Sequence, residues 1–131
     1  MSMWGRRISI EAVAIVVTLL VVGGLLTAVT RTPAREITLV ARGMAFYLES
    51  DPSTPNPTLM LKAGERVRVT LRNEERGFTH DFAVPAVDVA TDLINWNENA
   101  GVTFEVPDRP GAYDYVCEPH AMMMRGRIIV Q

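Results

Sequence analysis

The chain has 131 residues, a formal net charge of −2, one cysteine and two histidines, which bounds it to one domain with a short appendage. A lone cysteine excludes an internal disulfide framework. The modest acidity, 11 basic against 14 acidic residues from Arg31 onward, gives no sign of a nucleic-acid partner. No nucleophile–base pair, paired catalytic carboxylates or phosphate loop stands out, so neither an enzyme nor a small-molecule substrate is expected.

The appendage comes first. Between Ile8 and Thr30 the only charged residue is Glu11, and residues 12–29 are an almost unbroken apolar run. At 1.5 Å rise per residue, about 18 to 22 such residues cross a hydrocarbon core of about 30 Å. The run is therefore predicted to be a transmembrane helix. A cleaved secretory signal has a shorter apolar core, about 7 to 15 residues, and a small-x-small cleavage site that Ala28-Val-Thr30 matches poorly. Arg6 and Arg7 precede the run and Arg31 and Arg35 follow it, so flanking charge orients it only slightly. The expected division is an anchor over 1–30, a linker over 31–35 in which Pro33 ends any helix, and a domain over 36–131.

That domain reads as all-β. Residues 36–41 place Ile37 and Leu39 on one side and Thr38 and Val40 on the other. Residues 66–72 alternate most clearly, with Val67, Val69 and Leu71 inward and the arginines outward. The Pro-rich stretch 51–57 is a loop between strands at 46–48 and 58–61. Further strands are expected at 102–106, 112–117 and 127–130, with turns at 63–65 and 109–111. Residues 86–100 fit neither period and are expected to form a long loop with at most one helical turn. About seven short strands separated by turns indicate a Greek-key β-sandwich.

Chemistry concentrates at the C-terminal end. Cys117-Glu-Pro-His120 is followed by Met122, Met123 and Met124 and then Arg125-Gly126. Thiolate, imidazole and thioether together suit copper, and a trigonal His₂Cys plane with a weak axial Met is the blue-copper arrangement. The remaining histidine, His80, lies in Gly77-Phe-Thr-His-Asp-Phe-Ala-Val-Pro85, a short apolar segment that reads as a strand end. As a bound thiolate, Cys117 would also escape the oxidation that threatens a free thiol in an exported domain.

These two pieces over residues 36–131 resemble the cupredoxins, the plastocyanin, amicyanin and pseudoazurin group of small electron carriers. The resemblance implies one type 1 copper ion held by His80, Cys117, His120 and an axial methionine, passing single electrons. It further implies a buried His80 and a His120 that reaches the surface through an apolar patch. Residues 80–92 also resemble the first-ligand segment of the cytochrome oxidase subunit II copper domain. That binuclear centre needs two cysteines, and this chain has one, so a mononuclear site is expected.

Met122, Met123 and Met124 all offer a thioether. Met124, immediately before Arg125-Gly126, fits the family pattern best, with Met123 second; the loop is then intermediate between the amicyanin and plastocyanin lengths. Where the family commonly has an Asn after the first histidine, this chain has Asp81, and Glu118 follows Cys117. If their carboxyls face one another, one should hold a proton, and the copper potential would depend on pH.

The expected function is that of a membrane-anchored mononuclear blue-copper electron carrier. It would be free or fixed in a respiratory or photosynthetic complex, with a redox protein donor and acceptor such as a cytochrome, reaction centre or oxidase. The helix would cross the cytoplasmic membrane once, with the copper domain on the periplasmic or extracellular side. A Cu(I)-delivery protein, suited to the methionine run, and a metal-free structural subunit of a membrane complex are the alternatives.

Overall fold

The computed structural model describes residues 32–131, so the candidate anchor at 1–30 lies outside the described residues. From Pro33 onward the chain forms one compact unit. Nine strands follow in order: Arg35–Arg42 (β1), Ala45–Leu48 (β2), Leu59–Leu61 (β3), Arg66–Asn73 (β4), Ala83–Val84 (β5), Val89–Ala90 (β6), Asn99–Glu105 (β7), Gly111–Val116 (β8) and Arg125–Val130 (β9). Single 3₁₀ turns occupy Pro85–Val87 and Glu118–His120. One sheet has the order β2-β1-β4-β7 and the other β3-β9-β8-β5-β6.

Both long strands of the first sheet owe their place to alternation. Val67, Val69 and Leu71 of β4 are fully buried while Arg68 faces solvent. Parallel pairing sets Ile37 of β1 beside Val69 and Leu39 beside Leu71, and antiparallel pairing sets Phe104 of β7 beside Val67. In the second sheet Tyr115 of β8 and Ile128 and Val130 of β9 face the same interior. Side chains of both sheets join one cluster, each large one contributing about 1.5–3 kcal/mol relative to exposure. At its centre Phe46, Phe82 and Tyr115 stack, with ring centroids 5.4 to 6.3 Å apart, a spacing at which tilted and edge-on aromatic pairs attract.

Two sequence expectations need correction. Residues 86–100 are not one long loop. Pro85–Val87 makes the helical turn, Asp88 turns the chain with φ of 52°, and Val89 and Ala90 then pair back on Val84 and Ala83. A two-residue strand is too short to display a period. Likewise β7 begins at Asn99, not at residue 102, because Asn and Gly disfavour strands yet Asn99, Ala100 and Gly101 continue the ladder on β4.

The Pro-rich loop at 51–57 is folded on its own side chains. The Asp51 carboxylate accepts from the Ser53 amide and hydroxyl and from the Thr54 hydroxyl, which holds its pKa below the ordinary value. At the far end Asn56 exchanges bonds with the backbone of Phe46: Phe46 N–H reaches Asn56 Oδ1 at 3.0 Å and Asn56 N–H reaches Phe46 O at 2.7 Å. This loop thereby turns toward the methionine run.

Candidate metal centre

His80 sits between β4 and β5, where its N–H donates to Ile94 O at 3.1 Å and its carbonyl accepts from Ile94 N–H at 2.9 Å. Cys117 follows the last residue of β8, so the inward alternation of Tyr115 continues to the sulfur, and both are fully buried. Pro119, in the middle of the 3₁₀ turn Glu118–His120, stiffens the turn that brings His120 round. His120 N–H bonds Cys117 O at 3.1 Å, Met123 and Met124 N–H both bond His120 O at 2.9 Å, and Cys117 N–H bonds Met124 O at 3.0 Å. The loop is thus closed by its own backbone.

The three predicted donors converge. One donor atom from each of His80, Cys117 and His120 lies within 4.8 Å of the others. Cys117 Sγ is 3.6 Å from His80 Nδ1 and 3.5 Å from His120 Nδ1. First-row metal bonds of about 2.0 Å to imidazole and 2.3 Å to thiolate, set in a trigonal plane, would separate such atoms by about 3.7 Å. The donor set and its spacing therefore fit a single small ion. His80 is fully buried, whereas His120 is partly exposed and its ring meets Phe78 edge-on at 6.0 Å.

Burial sets the protonation of the metal-free donors. It pushes the Cys117 thiol up to about 11 and holds the His80 imidazole below its ordinary value, against the opposing hydrogen bond from Glu75. A neutral imidazole is the form that can ligate. Among the three methionines, Met124 is fully buried, while Met122 is 96% and Met123 55% exposed. Met123 and Met122 thus join Phe78 as exposed apolar side chains at this end of the domain.

Asp81 is buried and its Oδ1 accepts the Glu118 N–H at 2.7 Å, while the Glu118 side chain is exposed. The expected opposition of two carboxyls is therefore corrected: Asp81 meets the backbone of Glu118, not its side chain, and the pH-dependent potential loses its basis. Asp81 nonetheless ties the two ligand segments together.

Three further residues shape the site without having been singled out in the sequence. Glu75 Oε2 lies 3.1 Å from His80 Nε2. Asn73, fully buried, donates to Phe78 O and Ile94 O and accepts from Glu75 N–H. Asn56 Nδ2 donates to Met123 O at 3.0 Å. A polar residue between the strand and the first ligand was the only available signal for Asn73 and Glu75, and the adjacent Glu74 made the pair look like ordinary solvated charge.

A model of the cupredoxin-like domain matches residues 14–130. Amicyanin-alpha of Methylorubrum extorquens is 30% identical over 110 residues, 82% of each chain. Rusticyanin of Thiobacillus ferrooxidans superposes with a TM-score of 0.55 at 27% identity, over 77% of this chain and 79% of that one. Auracyanin A of Chloroflexus aurantiacus, described as a "blue" copper protein, superposes with a TM-score of 0.60 at 20% identity, over 76% of this chain and all of that one; at that identity it bears on the fold alone.

Proposed function

The chain belongs to the cupredoxin-like domain family, and from that premise we propose that it is a membrane-anchored, mononuclear blue-copper electron carrier. The observation that carries this reading is the meeting of Cys117 Sγ with two imidazole Nδ1 atoms, one of them 37 residues away in sequence, with the sulfur and the His80 ring fully buried. His80, Cys117 and His120 would hold the ion. Met124 would supply a weaker thioether donor, supported by its burial and by its carbonyl closing the loop on Cys117.

Bound there, copper supplies exchange of one electron between two oxidation states. The protein's part is to keep the donors fixed and water away. His80 is sealed inside, and backbone bonds within residues 117–124 hold the loop whichever charge the site carries. The partly exposed His120, with Phe78, Met122 and Met123 exposed at the same end, offers the way out for the electron. An apolar rim of this kind suits brief docking of a redox protein, donor or acceptor. Residues 1–30 would anchor the domain to the cytoplasmic membrane with the copper outside, supported by the length and apolarity of that run. There the carrier searches for partners in two dimensions.

The test is the visible spectrum of the oxidised, copper-loaded chain beside Cys117→Ser. An intense thiolate-to-copper band that disappears in the variant is expected. A colourless wild-type protein that takes only Cu(I) would favour copper delivery, and one that takes no copper would refute the reading. Extraction of the chain from membranes by detergent but not by alkaline carbonate tests the anchor.

A further inference from the structure

Glu75 occupies an unusual place for a carboxylate. Its side chain is 16% exposed, and Oε2 faces His80 Nε2 at 3.1 Å. The same oxygen accepts the Met44 N–H at 3.0 Å, and the Glu75 N–H is held by Asn73 Oδ1 at 2.8 Å. The carboxylate is thus held from the β1–β2 turn through Met44 N–H, and the backbone that carries it is fixed by a buried asparagine. Among the described residues, no lysine or arginine lies within ion-pair distance of it.

His80 has one nitrogen for each neighbour. Nδ1 faces Cys117 Sγ, and Nε2 faces Glu75. An ionised carboxylate can only accept hydrogen bonds, so the ring hydrogen belongs on Nε2 and the Nδ1 lone pair points into the metal site. In metal centres, a carboxylate behind a ligating histidine both fixes its orientation and makes it a stronger donor. A nearby negative charge in a poorly solvated pocket also stabilises the more positive of two ion states.

We propose that Glu75 is a positioning residue for the centre: it locks the tautomer of His80 and, through its unpaired charge, biases the copper toward the oxidised state, so that a held electron is given up more readily. This inference rests on the copper reading above and adds to it what sets the potential.

The experiment uses the full chain as wild type, Glu75→Gln and Glu75→Ala. Glutamine keeps an acceptor oxygen for Nε2–H and Met44 N–H but carries no charge; alanine removes both. In Glu75→Gln the blue band should persist while the Cu(II) affinity falls about tenfold relative to Cu(I), at the lower end of the range for lost outer partners. For one electron that ratio corresponds to a potential raised by about 59 mV. A potential equal to wild type in Glu75→Gln, with the band intact, would overturn the charge effect. Long-range ¹H–¹⁵N spectra of the metal-free protein should show His80 as the Nε2–H tautomer in wild type and a mixture in Glu75→Ala. An unchanged tautomer in Glu75→Ala would overturn the positioning role. A wild-type protein without the blue band would refute the copper reading and the potential claim with it, and the tautomer measurement would still decide the role of Glu75.

Discussion

Gly126 of β9 sits directly opposite Tyr115 of β8, and a methyl group there would fall on the Cζ, Oη and Cε1 atoms of that ring. The requirement is for space, not for an unusual backbone angle. Tyr115 has nowhere to retreat. It is fully buried, its ring lies against Phe46 and Phe82 at 5.5 and 5.4 Å, and its hydroxyl donates to Pro57 O at 2.6 Å. Overpacking of this kind costs about 1–3 kcal/mol. If the ring escapes by giving up its hydroxyl bond, the buried Pro57 carbonyl is left unpaired at about 1–3 kcal/mol more. Gly126→Ala should therefore lose about 2–6 kcal/mol, a large part of the roughly 5–15 kcal/mol that holds a domain folded. Urea unfolding of the metal-free protein followed by circular dichroism would show it as a lower midpoint at unchanged slope. Tyr115→Phe should couple to Gly126→Ala by more than about 0.5 kcal/mol in a double-mutant cycle, because both act on one contact. A loss below about 0.5 kcal/mol for Gly126→Ala, or strict additivity, would refute the reasoning.

Asn73→Asp is the second prediction. Both amide hydrogens of Asn73 are taken, by Phe78 O and Ile94 O, so the substitution turns a carboxylate oxygen toward two carbonyls in a buried place. A loss of at least about 3 kcal/mol is expected by the same urea measurement, since an unpaired buried charge is strongly destabilising; a variant as stable as wild type would count against the bonding described. The third concerns pH. Burial raises the Cys117 thiol from its ordinary 9.0 to about 11, so the folded chain holds that proton more tightly than the unfolded one; this stability is full below pH 9.0 and lost as pH rises through about 11. Burial lowers the His80 imidazole from 6.5, so stability present above pH 6.5 is lost as pH falls. The urea midpoint of the metal-free protein should peak between pH 6.5 and 9.0, and a midpoint that climbs above pH 9.0 would refute the assignment of Cys117.

Local pattern made much of the fold legible. Alternation in residues 66–72 marks β4 because Val67, Val69 and Leu71 are inward without exception. The donors were legible for a different reason: Cys117 and His120 are close in sequence, and with two histidines in the chain the third donor had one candidate. What stayed hidden depends on distant segments meeting. Asn56 lies in a Pro-rich loop where a polar residue attracts no notice, yet it reaches Met123 from 67 positions away. Glu75 looked solvated beside Glu74, and only the fold turns one of the two inward. Asp81 and Glu118 do meet, but through a carboxylate and an amide and not through two carboxyls, a choice of atoms that residue identities leave open.

The hidden residues share a task. Ligands carried on loops are only as well placed as the loops, and loops are the mobile part of a domain. Here three buried or half-buried polar side chains each fasten a ligand segment to backbone elsewhere: Asn56 to Met123, Asn73 to Phe78 and Ile94, and Asp81 to Glu118. Such groups are costly in a small core unless every donor and acceptor is met, and among the described residues no buried side-chain nitrogen or oxygen lacks a partner. A network satisfied to that degree admits one arrangement of His80, Cys117 and His120. A centre that must exchange an electron without moving its donors needs that single arrangement, which accounts for polar side chains at places where apolar packing alone would stabilise the sandwich more simply.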